Sequence, residues 1–196
     1  MSRGIIEELA EGISLLMNAP IFAFITFLLL LLSSRTQNFL PILTTVLLFG
    51  TIGPLVLVYI LSKRGIIPDY YASERETRTI PLFGGTLSYL LGALILSSLA
   101  APIIVVALML CYGVNTFVMM LINLKWKISI HASGITGPAT FLFYSFGMIA
   151  IPFFLLVLPV GWARLRLNAH TPAQVLAGAT LTVAITWIQL KTYLHI

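Results

Sequence analysis

Apolar stretches of roughly membrane length alternate with short polar segments along this chain. From Gly4 to Met17, residues Ile5, Leu9, Ile13 and Leu16 recur at helical spacing while Glu7, Glu8 and Glu11 take another face. That pattern predicts an interfacial or re-entrant amphipathic helix. Pro20 opens a first span whose apolar run to Leu32 is short alone, so it would tilt or borrow the preceding turn. A second span runs from Leu40 to Leu61, and a polar segment, Ser62 to Thr79, follows it. The third runs from Pro81 to near Ala100, the fourth from Pro102 to about Leu124, and the last from Pro172 to about Leu190.

The stretch from Pro138 to Val160 decides the topology. As one helix it would extend about 35 Å and set His131 and His170 on opposite membrane faces. Gly147 and Pro152 both disfavour a continuous helix, and a break between them predicts a hairpin over residues 132 to 165. Each arm, with its polar flank, would be roughly 15 residues or about 22 Å long, less than the hydrocarbon thickness. The connecting polar residues would then lie recessed in the protein, where irregular backbone is tolerated.

Composition agrees with this pattern. Of 196 residues, 59% are hydrophobic and only 9% charged, against about 25% charged in a soluble domain. The expected fold is an all-α integral membrane bundle in one domain, residues 1 to 196: a six-helix core, a short broken hairpin and the N-terminal amphipathic helix. The early glutamates and the lack of a small-residue cleavage site argue against a removed signal peptide. Cys111, the one cysteine, sits in an apolar run and reads as a packing residue.

The net charge is +5, and its placement says more than its size. Apart from Arg3, Arg35, Lys191 and His195, every basic or histidine side chain falls in three clusters. These are Lys63 to Arg78, Lys125 to His131, and Arg164 to His170. Interfacial lysines and arginines anchor spans without chemistry, yet intramembrane ionisable groups point to function by default. Arginine forks bind phosphate oxygens in pairs, helix N-termini add N–H donors, and histidine supplies a nucleophile or a proton. Two histidines with several cations and no carboxylate cluster suit a phosphate ester better than a metal or a sugar. No soluble basic domain or aromatic-interleaved basic stretch exists to bind nucleic acid.

Arg164, five residues, His170, three residues, Gln174 resembles the third motif of the type 2 phosphatidic acid phosphatase superfamily, and Ser129-Ile130-His131 resembles its second. The first motif is the poorest match: Arg78 precedes Pro81 by two intervening residues, and Tyr71 holds the lysine position. The likeness covers about Arg75 to Gly178. It implies metal-independent dephosphorylation of a lipid phosphate, with no cofactor, in a multi-pass protein of the cell membrane. It further implies that His170 attacks phosphorus, His131 protonates the leaving alkoxide, and Arg78 and Arg164 hold the phosphoryl oxygens. Ser129 belongs to the same phosphate set, and Arg75 or Lys127 stands in for the missing lysine.

Gln174 replaces the family's aspartate, so it can accept a hydrogen bond from the His170 ring but cannot stabilise imidazolium by charge. Thr171, Pro172 and Gln174 also read as a helix capping box with proline at the first helical position. Two other readings stay open. One is a non-catalytic lipid-phosphate binder or carrier. The other is an intramembrane serine protease, because His131-Ala132-Ser133-Gly134 and Ala169-His170 are similar to rhomboid motifs, with Ser133 as nucleophile and His170 as base. Eight of eleven basic residues fall on the motif face, which positive-inside counting would make cytoplasmic. The phosphatase resemblance implies an outward-facing site, and the oligomeric state is left open.

Overall fold

A computed structural model describes residues 4–70 and 74–194; Arg3, Tyr71 and His195 lie outside the described residues. Among the described residues all regular structure is helical, and the chain is a multi-pass membrane bundle. Five helical segments are long and apolar enough to cross a bilayer by length and composition, one of them the Ile130–Arg166 stretch that folds back on itself, and a bent N-terminal pair makes a sixth. That pair is α1 (Ile5–Leu16) and α2 (Ala19–Ser33), bent by 42° at Met17 and Asn18. The bend lies just before Pro20, as the short first span requires.

The second span, α3, runs over Phe39–Lys63 and widens to a π-helical stretch at Val46–Ile52. Pro54 explains the widening, since its ring lacks an N–H and collides with the carbonyl four residues back. The freed carbonyl of Phe49 accepts a bond of 2.8 Å from the Ser88 hydroxyl of the next helix. Irregular backbone at membrane depth is thereby satisfied by protein. A 3₁₀ turn at Glu76–Arg78 leads into α4 (Thr79–Ser98), and α5 (Ile103–Asn123) returns beside it.

The next segment folds back as the sequence predicts. Helix α6 (Ile130–Phe146) ends at Gly147, whose φ of 68° and ψ of −145° suit glycine alone. A 3₁₀ turn, Gly147–Ala150, passes into α7 (Ile151–Leu155) and α8 (Val157–Arg166). A straight helix over this range would be about 55 Å long. Instead Ile135 and Val160 share one buried cluster with Phe22, and the ring of Phe143 meets that of Phe154 at 6.3 Å. Helix α9 (Pro172–Tyr193) completes the bundle.

Helix α6 is the central post. Every residue from Ala132 to Leu142 is buried, and most are small, so neighbouring backbones approach closely as they do in membrane bundles. A Cβ on Gly134 would collide with Ala19 of α2. Polar bonds tie α9 to this post: Thr182 donates to Ser133 Oγ at 2.7 Å, and Thr136 donates to the Ala179 carbonyl at 3.0 Å. Farther along α9, Asn115 Nδ2 donates to Thr186 at 2.8 Å, and Gln189 Nε2 donates to Asn115 Oδ1 at 2.9 Å.

Candidate functional site

The second and third polar clusters meet because α6 and α9 start side by side. Ser129 caps α6, its hydroxyl accepting from the Ala132 N–H at 3.4 Å. Its own N–H donates to the carbonyl of Gln174 in the first turn of α9 at 3.2 Å. Gly178 makes the approach possible, since a Cβ there would strike the Ser129 carbonyl. Helix α8 ends on Asn168 in the left-handed region (φ 51°), a position that asparagine tolerates. The chain then turns so that the N–H groups of Ala169 and His170 both donate to the Arg164 carbonyl, at 3.0 and 3.3 Å. That places His170 directly before the cap of α9.

The cap is a complete capping box. The Thr171 hydroxyl accepts from the Gln174 N–H at 3.4 Å, and Gln174 Oε1 accepts from the Thr171 N–H at 3.1 Å. The same Oε1 lies 3.2 Å from His170 Nδ1. The cap and the contact with the histidine are therefore one arrangement, and the glutamine serves both. With Nδ1–H donating, Nε2 of His170 is the nitrogen with a lone pair. It is buried and, among the described residues, has no hydrogen-bond partner, and the same holds for Nε2 of His131.

Both histidines and Arg78 line one cavity of about 200 Å³. Arg78 is buried, and its Nη1 donates to the Ile128 carbonyl at 3.4 Å, which steadies it beside the α6 cap. Arg164 is buried next to this wall, with Nη1 donating to Ser14 of α1 at 2.8 Å. Burial is the main cause that draws the His170 imidazole down to about 4, and the charges of Arg78 and Arg164 add to it. It is neutral at physiological pH. The Lys127 ammonium is also drawn below its ordinary value, by burial first and then by Arg78 and Arg164.

Of the expected site residues, Arg78, His131 and His170 stand on the cavity wall, and Gln174 reaches it through His170. Arg164 and Lys127 act on it as nearby charge. Ser129 is fully buried in its capping role. Arg75 is engaged elsewhere: Nη1 donates to the carbonyls of Asn123 and Leu124 at the end of α5, and Nη2 pairs with Glu76 at 2.6 Å. Asn123 Nδ2 returns a bond of 2.8 Å to the Arg75 carbonyl. This clamp ties the segment before α4 to the end of α5, where the helix dipole favours a cation.

Sequence reasoning passed over Ser14, Asn18 and Asn115, and read Tyr70 as an interfacial aromatic residue outside the site. The first contacts Arg164, and the other three line the cavity. Asn115 carried a signal, as a polar residue in the middle of an apolar span; the others looked like ordinary flanking positions. Among the described residues no three His, Cys, Asp or Glu side chains come close enough to hold a metal ion together. No protein-family model matches the chain, and no curated protein or solved structure matches it either.

Proposed function

We propose that the protein is a metal-independent phosphatase for a membrane lipid phosphate, and that it works through a phosphohistidine. The observation that carries this reading is the pair of buried, unpartnered Nε2 atoms on a cavity wall that also holds Arg78. Buried polar atoms without partners are costly inside a bilayer, and a phosphate ester entering the cavity would give both a partner. In this reading Arg78 holds phosphoryl oxygens, and Arg164 and Lys127 lower the cost of the incoming anion. His170 Nε2 attacks phosphorus while its Nδ1–H donates to Gln174 Oε1. The bond from phosphorus to the lipid oxygen breaks, and His131 gives that oxygen a proton. His131 then takes a proton from the water that hydrolyses the phosphohistidine.

Phosphatidic acid, phosphatidylglycerol phosphate and polyprenyl phosphates or diphosphates carry the anion this site suits, and the cell membrane is where such lipids would meet it. The binder or carrier reading is favoured by one observation: Gln174 is neutral and committed to the helix cap. The protease reading has less support, because the partner of Ser133 Oγ among the described residues is Thr182. The test is release of inorganic phosphate from a panel of these lipids by purified protein in chelator. Release, with an acid-labile phosphoprotein, supports the phosphatase; tight binding without release would leave the binder.

A further inference from the structure

The cavity does not stop at the histidines. Its wall continues down α6 from His131 to Phe141, down α4 from Arg78 to Tyr89, and along α5 to Leu108. From Arg78 to Tyr89 is about 16 Å of helix, the extended length of roughly a dozen methylenes. Below Asn115 on α5 the lining is Tyr112, Cys111 and Leu108, faced by Tyr89 of α4 and Phe141 of α6. The rings of Tyr89 and Tyr112 lie 5.3 Å apart, and Phe27 stacks on Tyr112 at 5.8 Å. A slot with Arg78 and the histidines at one end and aromatic rings at the other suits a hydrocarbon chain attached to an anion.

Gly85 lies on that wall about 10 Å below Arg78 along α4. A Cβ at this glycine would meet only Thr116 Cγ2 and a Tyr89 ring carbon, both at 3.8 Å. Those are ordinary contacts with other residues of the wall. Gly85 thus differs from Gly134 and Gly178, where a Cβ collides with a neighbouring element. Here a side chain would fit against the wall and take up room in the slot.

We propose that this slot receives one chain of the lipid phosphate and measures it, accepting about a dozen carbons, with Gly85 keeping the passage open. Any second chain stays in the bilayer. The inference rests on the phosphate-binding reading of the histidine end but not on hydrolysis. An unbranched acyl or alkyl chain and a short isoprenoid chain share the required chemistry.

The experiment measures thermal stabilisation of the purified protein in nanodiscs by n-alkyl phosphonates from about four to about eighteen carbons, beside farnesyl phosphonate. Stabilisation should rise with each methylene to about twelve carbons and then level off or fall. Gly85→Leu should move the break to about eight carbons, lowering the ratio of twelve-carbon to four-carbon affinity at least about tenfold. Gly85→Ala, the milder change, should place it between. The farnesyl arm tells a branched from a straight preference. Affinity that tracks bilayer partitioning with no break, or a break that neither substitution moves, would overturn the slot. Wild-type turnover of phenyl phosphate is followed in parallel: a break without turnover sinks only the hydrolysis, and turnover without a break sinks only the slot.

Discussion

The turns that lead into α6 and α9 meet the same local need in two ways, and the difference suits the two histidines to the different work that the proposed mechanism asks of them. Each begins a helix with a hydroxyl cap, Ser129 in one and Thr171 in the other, and each aims a histidine at the cavity. His131 sits inside its helix, past the cap, and among the described residues no hydrogen bond holds its Nε2. His170 sits before its cap, and the capping glutamine grips its Nδ1. A ring with one nitrogen fixed presents the other in a set direction, as an attacking atom needs. A ring whose Nε2 no hydrogen bond holds retains the freedom to give and take a proton there. The two turns are also bonded to each other through the Ser129 N–H and the Gln174 carbonyl, so neither histidine moves independently.

The sharpest way to break this comparison is to remove each histidine in turn. His170→Ala should abolish both turnover and the covalent phosphoprotein, because in the proposed mechanism His170 Nε2 is the atom that takes the phosphoryl group. His131→Ala should cost about 100-fold to 10,000-fold on alkyl phosphates and far less on aryl phosphates, whose leaving oxygen needs no proton. Equal losses on both substrates would deny His131 its acid role, and full activity without His170 would refute the mechanism.

The link between the turns is tested at Gly178. Gly178→Ala puts a methyl against the Ser129 carbonyl and should destabilise the protein by about 1–3 kcal/mol. It should also lower the rate at least about tenfold, on aryl and alkyl substrates alike, because the histidines are displaced relative to each other. A stable variant with an unchanged rate would show that the turns are positioned separately.

Acidity probes the same contrast more gently. The His170 imidazole is drawn down to about 4, whereas in the unfolded chain it titrates near 6.5. Between those values the unfolded chain binds more protons than the folded one. His170 therefore costs no stability above pH 6.5, an increasing amount as pH falls towards 4, and a constant amount below. At about pH 5 the cost is on the order of 2 kcal/mol. Thermal melts at neutral and acid pH should show the wild type losing more stability than His170→Gln, and equal losses would mean an imidazole that titrates normally.

The smallest expected effect separates the two roles of Gln174. Gln174→Asp keeps an N-terminal acceptor favoured by the helix dipole and adds charge against imidazolium, so the rate should rise a few-fold. If stability falls without a gain in rate, capping is the residue's whole role.

Much of this fold could be read along the chain because lipid leaves few alternatives. Apolar runs from Leu40 to Leu61 and from Pro102 to Leu124 have to be helices, and Gly147 with Pro152 disfavoured one continuous helix that would set His131 and His170 on opposite faces. The meeting of His131 and His170 followed from that break. What could not be read was the allocation of cations. Arg75 and Arg78 are equivalent in sequence, yet one clamps the end of α5 and the other faces the cavity. Arg164 met Ser14, a residue in the unremarkable polar face of the first helix. Periodicity reports which face of a helix is polar, not which neighbouring helix will stand against it.

The sequence alone therefore determined the all-helical membrane class and the break that makes the hairpin, since each depends on local backbone chemistry and on the price of exposing a peptide group to lipid. Tertiary structure alone decided which arginine reaches the cavity, that Gln174 caps a helix and holds a ring at once, and that the cavity continues from the histidines to Tyr89 and Tyr112. Those outcomes depend on distances between helices far apart in the chain, set by where Gly134, Gly178 and Gly85 leave room, and no local pattern encodes them.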